Sequence, residues 1–215
     1  MMTASPSSVV AATCLCGSLN KTAVRCPDHH RYFREGKELT SVSKILKRMI
    51  PPDFSKVDPA VLENARDRGA TTDELFCSYI EGTLRVIKGG TRADAVELFQ
   101  KLRHFWDKRG CVSARTQVIL ADDEVAGTCD ILESAGVISD IKCSYDIDPS
   151  YPLQLGAYAD LYERANGFLP MIRILHATKR YDEVRTIPLN AEQCRDDWRK
   201  LRDAYFVIQR RSGKD

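Results

Sequence analysis

The 215 residues carry 32 lysines and arginines against 30 aspartates and glutamates, a net charge of +2, with a hydrophobic fraction of 43%. That is enough apolar side chain for one core of ordinary size, and too balanced a charge for holding nucleic acid by bulk charge, so any such contact must use local basic runs. No stretch approaches the ~18 apolar residues that span a bilayer, and the opening MMTASPSSVVAAT lacks a basic n-region, so a Ser-rich leader is expected rather than a signal peptide.

Residues 14–30, CLCGSLNKTAVRCPDHH, are turn-rich. Cys14, Cys16, Cys26 and His29 (or His30) are four soft ligands, and CLCG and CPDHH could be the two knuckles of a structural zinc site. The C-x-C spacing departs from the usual C-x2–4-C, and a reduced, mobile leader fits the same residues, so both readings stay open. Cys77, Cys111, Cys129, Cys143 and Cys194 are isolated in apolar segments, as buried reduced thiols of an intracellular protein are.

HRYFREGKELTSVSKIL predicts a hairpin turning at Glu35-Gly36, then a short helix capped at Ser41 or Ser43. Asp58 and Pro59 start a helix as N-cap and N1, with a break expected near Gly69. Thr91 is expected to cap a further helix that ends on Gly110. Three strands follow, TQVILA, VAGTCDILE and VISDIKCS, separated by acidic and Gly-containing turns. A helix opens with Pro152 and stops at Gly167. MIRILHATK and EVRTIPL read as strands. Asn190 opens the last helix, with Gln193 placed to complete a capping box. Its apolar positions Cys194, Trp198, Leu201, Tyr205 and Ile208 predict one buried stripe. The order predicts an α/β fold, a central mixed sheet flanked by helices, over 31–215, with 1–30 as an appended leader.

Two acids stand inside these strands, Asp130 and Asp140, where propensity and desolvation disfavour them. If 134–136 form a three-residue loop, Glu133 pairs with Val137 and Asp130 falls opposite Asp140, on one face and about 5 Å apart at Cβ. Lys142 lies two residues on, on the same face. Cys129, Ile131, Ile141 and Cys143 are then expected on the opposite face. A two-residue turn would separate the acids. Opposed carboxylates repel, and a Mg²⁺ ion would resolve that, with Lys142 beside a phosphate or an attacking water. Solvent-facing acids balanced by Lys142 are the alternative reading.

The run AGTCDILE … DIKCSYDIDPSYPLQLGAYADLYE resembles the PD-(D/E)xK nuclease superfamily, most of all its RecB-type and phage branch. The matches are G-x-x-D (Gly127 to Asp130), D-x-K (Asp140 to Lys142) and Q-x-x-x-Y (Gln154 to Tyr158), in the family's order, within a likeness covering roughly 30–165. The resemblance implies a restriction-endonuclease-like core with Asp130 and Asp140 as metal ligands. It implies Lys142 as catalytic lysine, and Gln154 and Tyr158 as contacts to DNA or supports of the site. A main-chain ligand would come from Ile141. ARDRGATTDE resembles the motif R-G-T-x-x-H, with Asp73 where relatives hold a metal-binding histidine and with Arg68 on the DNA backbone. Relatives carry a Glu on the first strand of the meander; here that position falls near Arg115 or Gln117, and Glu124 is the nearest acid, in a turn. With Cys194 alone near the C-terminus, no iron–sulfur cluster is expected.

The implied activity is a Mg²⁺- or Mn²⁺-dependent deoxyribonuclease, an exonuclease by its branch, acting in repair, recombination or phage DNA processing in a bacterial cytoplasm. Its partner is single- or double-stranded DNA, with a homo-oligomer or a recombination or repair partner left open. A catalytically impaired DNA-binding or scaffold relative is the other implied outcome. The runs KILKR, RDR and KLRHFWDKR and the basic C-terminal helix are read either as solvated helix faces or as tracks for the DNA backbone.

Overall fold

The computed structural model describes residues 23–25, 31–110 and 112–213. Cys14, Cys16, Cys26, His29 and His30 lie outside the described residues, as does Cys111. A short strand β1 (Val24–Arg25) precedes the expected hairpin of β2 (Tyr32–Arg34) and β3 (Lys37–Ser41). Its turn takes Glu35 and Gly36 at positive φ, a conformation glycine tolerates freely. The Ser41 side chain then accepts from Lys44 N–H and caps α1 (Val42–Met49).

The long helix α2 (Pro59–Ile80) starts on Asp58, whose side chain accepts from Ala60 N–H, and runs unbroken through Gly69. A mid-helix glycine costs about 1 kcal/mol; burial of Thr72, Leu75, Phe76 and Cys77 downstream outweighs it. Helix α3 (Ala93–Lys108) takes Arg92 rather than Thr91 as its N-cap, because the Thr91 hydroxyl turns back to the Lys88 carbonyl. Gly110, at φ +76°, ends it as expected.

The meander is β4 (Ala114–Ala121), β5 (Val125–Glu133) and β6 (Val137–Lys142). It is followed by α4 (Ser150–Asn166), β7 (Met171–His176), β8 (Arg185–Leu189) and α5 (Ala191–Arg211). Asn190 caps α5 by accepting from Gln193 N–H. Gln193 does not reach back to close a capping box; its amide donates to Asp197 instead.

Among the described residues the strands form one mixed sheet in the order β1-β2-β3-β5-β6-β7-β8, with β4 also on β5. Helices α1, α4 and α5 cover one face, over a core of Val42, Ile45, Leu132, Ile138, Leu155, Leu161 and Trp198. Helices α2 and α3 cover the other, over Phe76, Phe99, Leu102, Trp106, Ile131 and Ile141. Trp198 is wholly buried and anchors α5; burying such a side chain contributes about 2–3 kcal/mol. The α5 stripe is narrower than expected: Ile208 is exposed, and Arg202 is buried beside Tyr205. Arg202 is inside because Asp122 and Glu124 of the β4–β5 turn pair with it, at 2.8 and 2.9 Å. Arg195 and Arg199 likewise bind Glu163 and Asp160 of α4. Half of the basic character of α5 is thus directed into the fold.

Strand β5 positions the site. One of its edges carries β4 along most of its length. Its other edge carries β3 in parallel at Val125 and Ala126, and β6 antiparallel from Ile131 onward. Residues 127–130 lie between, at the split in the sheet.

Candidate active site

The β5–β6 turn has three residues, with Glu133 opposite Val137 and Leu132 opposite Ile138. Gly136 takes φ +74° and returns its N–H to the Glu133 carbonyl at 3.0 Å. Continuing the register brings Asp130 across from Asp140. The main-chain ladder stops one step earlier, at Ile131 and Ser139. In its place the Ile141 N–H donates to Asp130 Oδ2 at 2.8 Å. The strands therefore part at the two acids, and a side chain replaces a ladder bond. Asp140 itself stays in register with Ile174 of β7.

The expected alternation is broken at this point. Ile131, Ile141 and Cys143 join the cluster under α2 and α3, but Cys129 joins the one under α1, α4 and α5. Cys129 is thus not on their face. The same switch occurs in β4, where Thr116 bonds to Glu81 of α2 while Val118 faces the other core. Between them stands Gln117, at φ +50°, a backbone conformation that a residue with a long side chain rarely adopts. The pairs Thr116–Ile131 and Val118–Cys129 flank Gln117 and Asp130, so both strands turn over at one point.

Lys142 is the centre of a side-chain chain. Its Nζ lies 2.5 Å from Asp140 Oδ2, 3.0 Å from Gln154 Oε1, and 4.6 Å from the centre of the Tyr151 ring. Gln154 Nε2 donates to the Tyr158 hydroxyl at 2.9 Å. The lysine has only donors, so it fixes the amide with its oxygen towards Lys142 and its nitrogen towards Tyr158. Residues 151, 154 and 158 follow one face of α4. Gly127 makes room for this arrangement: a Cβ there would sit 2.7 Å from Tyr158 Cε1 and 3.0 Å from Val42 Cγ2. The glycine of G-x-x-D thus has a packing reason, the seating of the tyrosine of Q-x-x-x-Y.

From the other layer, α2 brings Asp73. Gln117 Nε2 donates to Asp73 Oδ2 at 3.0 Å, and the Cys77 thiol donates to Asp73 Oδ1 at 3.4 Å. Gln117, not Arg115, is the residue of β4 that bonds to Asp73. Glu124 is excluded from the site by its pairing with Arg202. Arg68, on α2, reaches the Cys143 carbonyl just beyond β6 at 3.4 Å. Tyr151 belongs to none of the three motifs, and Gln117, near the family's first-strand Glu position, gives no sign of its role because it is not acidic.

The electrostatics follow from burial and like charge. Asp130 is held well above the usual carboxylate range, first by burial and then by Asp140 and Asp73. Burial also raises Asp73, with Asp140 adding to it against the Cys77 bond. For Lys142, burial acts to lower the ammonium, but Asp140 and Asp130 outweigh it, and it stays protonated above its ordinary value. Tyr158 is pushed far up by burial and by the same two acids, so it remains a phenol at neutral pH.

Among the described residues no three His, Cys, Asp or Glu side chains are gathered closely enough, as they stand, to hold a metal ion. The donor chemistry nonetheless fits one. Asp140 is 1% exposed; its Oδ2 pairs with Lys142 Nζ at 2.5 Å, and its Oδ1 has no hydrogen-bond partner among the described residues. A buried carboxylate oxygen without a partner, opposite a second carboxylate, is what a hard divalent cation satisfies. Asp130, Asp140, the Ile141 carbonyl and Asp73 would be the donors. The thiols near them are unsuited: burial raises Cys77 and Cys129 strongly and Cys143 to about 11.

No family model and no curated protein matches the chain. Solved structures do. A protein from Eubacterium rectale described as a "putative exonuclease" aligns over 82% of this chain and 82% of its own, at 17% identity and a TM-score of 0.56. An alkaline exonuclease from Laribacter hongkongensis aligns over 82% and 94%, at 13% identity and a TM-score of 0.37. A phage-related exonuclease from Haemophilus somnus aligns over 78% and 91%, at 16% identity and 0.29. Only the first has a TM-score above 0.5, and at 17% identity it concerns architecture: the chain shares the α/β fold of the Eubacterium rectale protein.

Proposed function

We propose that the chain is a divalent-metal-dependent deoxyribonuclease that hydrolyses phosphodiester bonds at Asp130, Asp140 and Lys142, working from DNA ends as an exonuclease. The observation that carries this reading is the buried Asp140 carboxylate across from Asp130, its Oδ1 without a hydrogen-bond partner among the described residues and its Oδ2 paired with Lys142, which Gln154 and Tyr158 fix in place. The fold shared with the Eubacterium rectale protein described as a "putative exonuclease" supports it.

Asp130, Asp140 and the Ile141 carbonyl would hold Mg²⁺ or Mn²⁺, with Asp73 as a further oxygen donor. The bound ion supplies Lewis-acid charge to the scissile phosphate and lowers the pKa of a neighbouring water. Asp130, whose proton is held by burial and by the charges of Asp140 and Asp73, would have to be ionised to serve as a ligand, and a bound cation would supply the compensating charge. Lys142, protonated throughout, moves its ammonium from Asp140 to the phosphate and does not act as a base. Gln154 keeps that ammonium aimed, and Tyr158 keeps Gln154 from turning over. Arg68 and the basic runs contact the DNA backbone. The setting is repair, recombination or phage DNA processing in a bacterial cytoplasm.

A second reading is a nuclease-fold protein that binds DNA without cutting it. It is favoured by Arg115 and Gln117, neither of them acidic, near the position where the resembled family carries a first-strand Glu, and by the lack, among the described residues, of three His, Cys, Asp or Glu side chains gathered to hold an ion. One assay decides. Labelled single- and double-stranded DNA is incubated with Mg²⁺, Mn²⁺ or chelator, beside Asp140→Ala and Lys142→Ala. Metal-dependent cleavage that both variants lose is expected. DNA left intact by the wild type under every metal overturns the nuclease reading, and cleavage retained by the variants overturns the site.

A further inference from the structure

Beyond the carboxylates, the ends of β6 and β7 carry a group of rings and guanidinium groups that the cleavage chemistry does not use. The two strands run parallel, and Lys142 pairs with His176, so the segments that follow them leave the sheet side by side. Tyr145 lies three residues past Lys142 and is 67% exposed. Arg180, four residues past the end of β7 at His176, places its guanidinium 5.3 Å from the Tyr145 ring centre and 5.5 Å from that of Tyr181. Arg185 covers Tyr181 at 4.7 Å.

This surface is fixed to the site rather than free of it. His176 Nε2 meets the Ser144 carbonyl at 2.8 Å, and its ring packs edge-on to Tyr181. The Tyr151 hydroxyl donates to Ser144 Oγ at 3.2 Å, while its ring lies under Lys142. From α3, Lys101 Nζ donates to the carbonyls of Thr178 and Tyr181, at 3.2 and 2.9 Å, and pins the loop from below. Tyr145 is 67% exposed, yet the Arg180 guanidinium holds it beside this pinned loop. Rings interleaved with arginines are what unpaired bases stack on while their phosphates are neutralised. The nearest acid, Asp146, meets Arg180 only at 3.8 Å and is itself exposed, a pairing that a phosphate can replace.

We infer that Tyr145, Arg180 and Tyr181 form a stacking platform for unpaired DNA bases beside the cleavage site, so that the substrate enters as a single-stranded or frayed end. The inference rests on the nuclease reading for the meaning of that site, but its test does not require cleavage. Fluorescence anisotropy in EDTA compares a labelled single strand of about 12 nucleotides with an abasic strand of the same length. Base stacking is expected to make the base-bearing strand bind roughly 5- to 100-fold more tightly. Tyr145→Ala and Tyr181→Ala lose most of that preference; Tyr145→Phe keeps it, because the ring face remains. Arg180→Gln weakens both strands and flattens the salt dependence. Equal affinity of the wild type for the two strands overturns the platform, as does Tyr145→Ala behaving as wild type. Base-dependent binding without cleavage in Mg²⁺ or Mn²⁺ supports the platform and rejects the nuclease reading, and cleavage without base preference does the reverse.

Discussion

Replacing Gly127 by alanine tests how the two halves of the site are joined. The added Cβ would meet Tyr158 Cε1 at 2.7 Å and Val42 Cγ2 at 3.0 Å, against about 3.5–4.0 Å for ordinary carbon contact. Neither neighbour can yield cheaply: both are buried, and Tyr158 is tied to Gln154. Overpacking of this kind costs about 1–3 kcal/mol, or a melting temperature lower by roughly 2–12 °C for a chain of this size. Gly69→Ala is the matched control. It lies inside α2 with nothing within 4 Å of its added Cβ, so it should gain about 0.5–1 kcal/mol. Urea unfolding in EDTA, followed by tryptophan fluorescence, reads both. If Gly127→Ala is as stable as wild type, or if both variants shift in the same direction, the close approach of β5 and Tyr158 is wrong.

Other consequences follow from the same geometry. Asp130→Asn should stabilise the metal-free protein, and increasingly so as pH rises. Asp130 has a folded pKa well above its ordinary 3.8, so the folded state favours the proton, and stability falls as pH rises from the unfolded towards the folded value. Unfolding in EDTA between pH 5 and 8 checks this; a variant advantage that shrinks with pH contradicts it. Tyr158→Phe leaves the Gln154 amide nitrogen without its acceptor and should cost about 1–3 kcal/mol; unfolding beside Gln154→Leu, which removes the amide as well, should recover part of the loss. Gln117→Glu sets a carboxylate against Asp73, where an amide now donates at 3.0 Å. It should lower metal-free stability yet tighten Mn²⁺ binding by calorimetry; weaker binding would place Gln117 outside the ion's reach.

The sheet and its flanking helices were legible because each element is locally consistent. Asp58-Pro59, Ser41 and Asn190 start helices where expected, and Gly110 and Gly167 end them. The opposition of Asp130 and Asp140 was legible too, since the 134–136 turn sets the register and Gly136 takes the positive φ that such a turn needs. What escaped depends on the rest of the chain. Helix α2 continues through Gly69 because residues beyond it are buried. Arg202 is inside because two acids 78 and 80 residues earlier meet it. The turnover of β4 and β5 at Gln117 was invisible to alternation, because glutamine gives no signal of positive φ. That turnover put Cys129 on the unexpected face. The candidate zinc ligands Cys14, Cys16, Cys26 and His29 lie outside the described residues, so both readings of that segment stand.

The central claim is that Asp130, Asp140 and Lys142 form one hydrolytic site for DNA. Its most direct test is the single-turnover cleavage rate of an end-labelled DNA in Mn²⁺, for wild type and for Asp140→Asn, which keeps the shape and removes the charge. The account predicts metal-dependent cleavage by the wild type and a loss of at least about 100-fold in the variant, the scale of a lost metal contribution of several kcal/mol. Equal rates for the two proteins, or no cleavage by either, would contradict it.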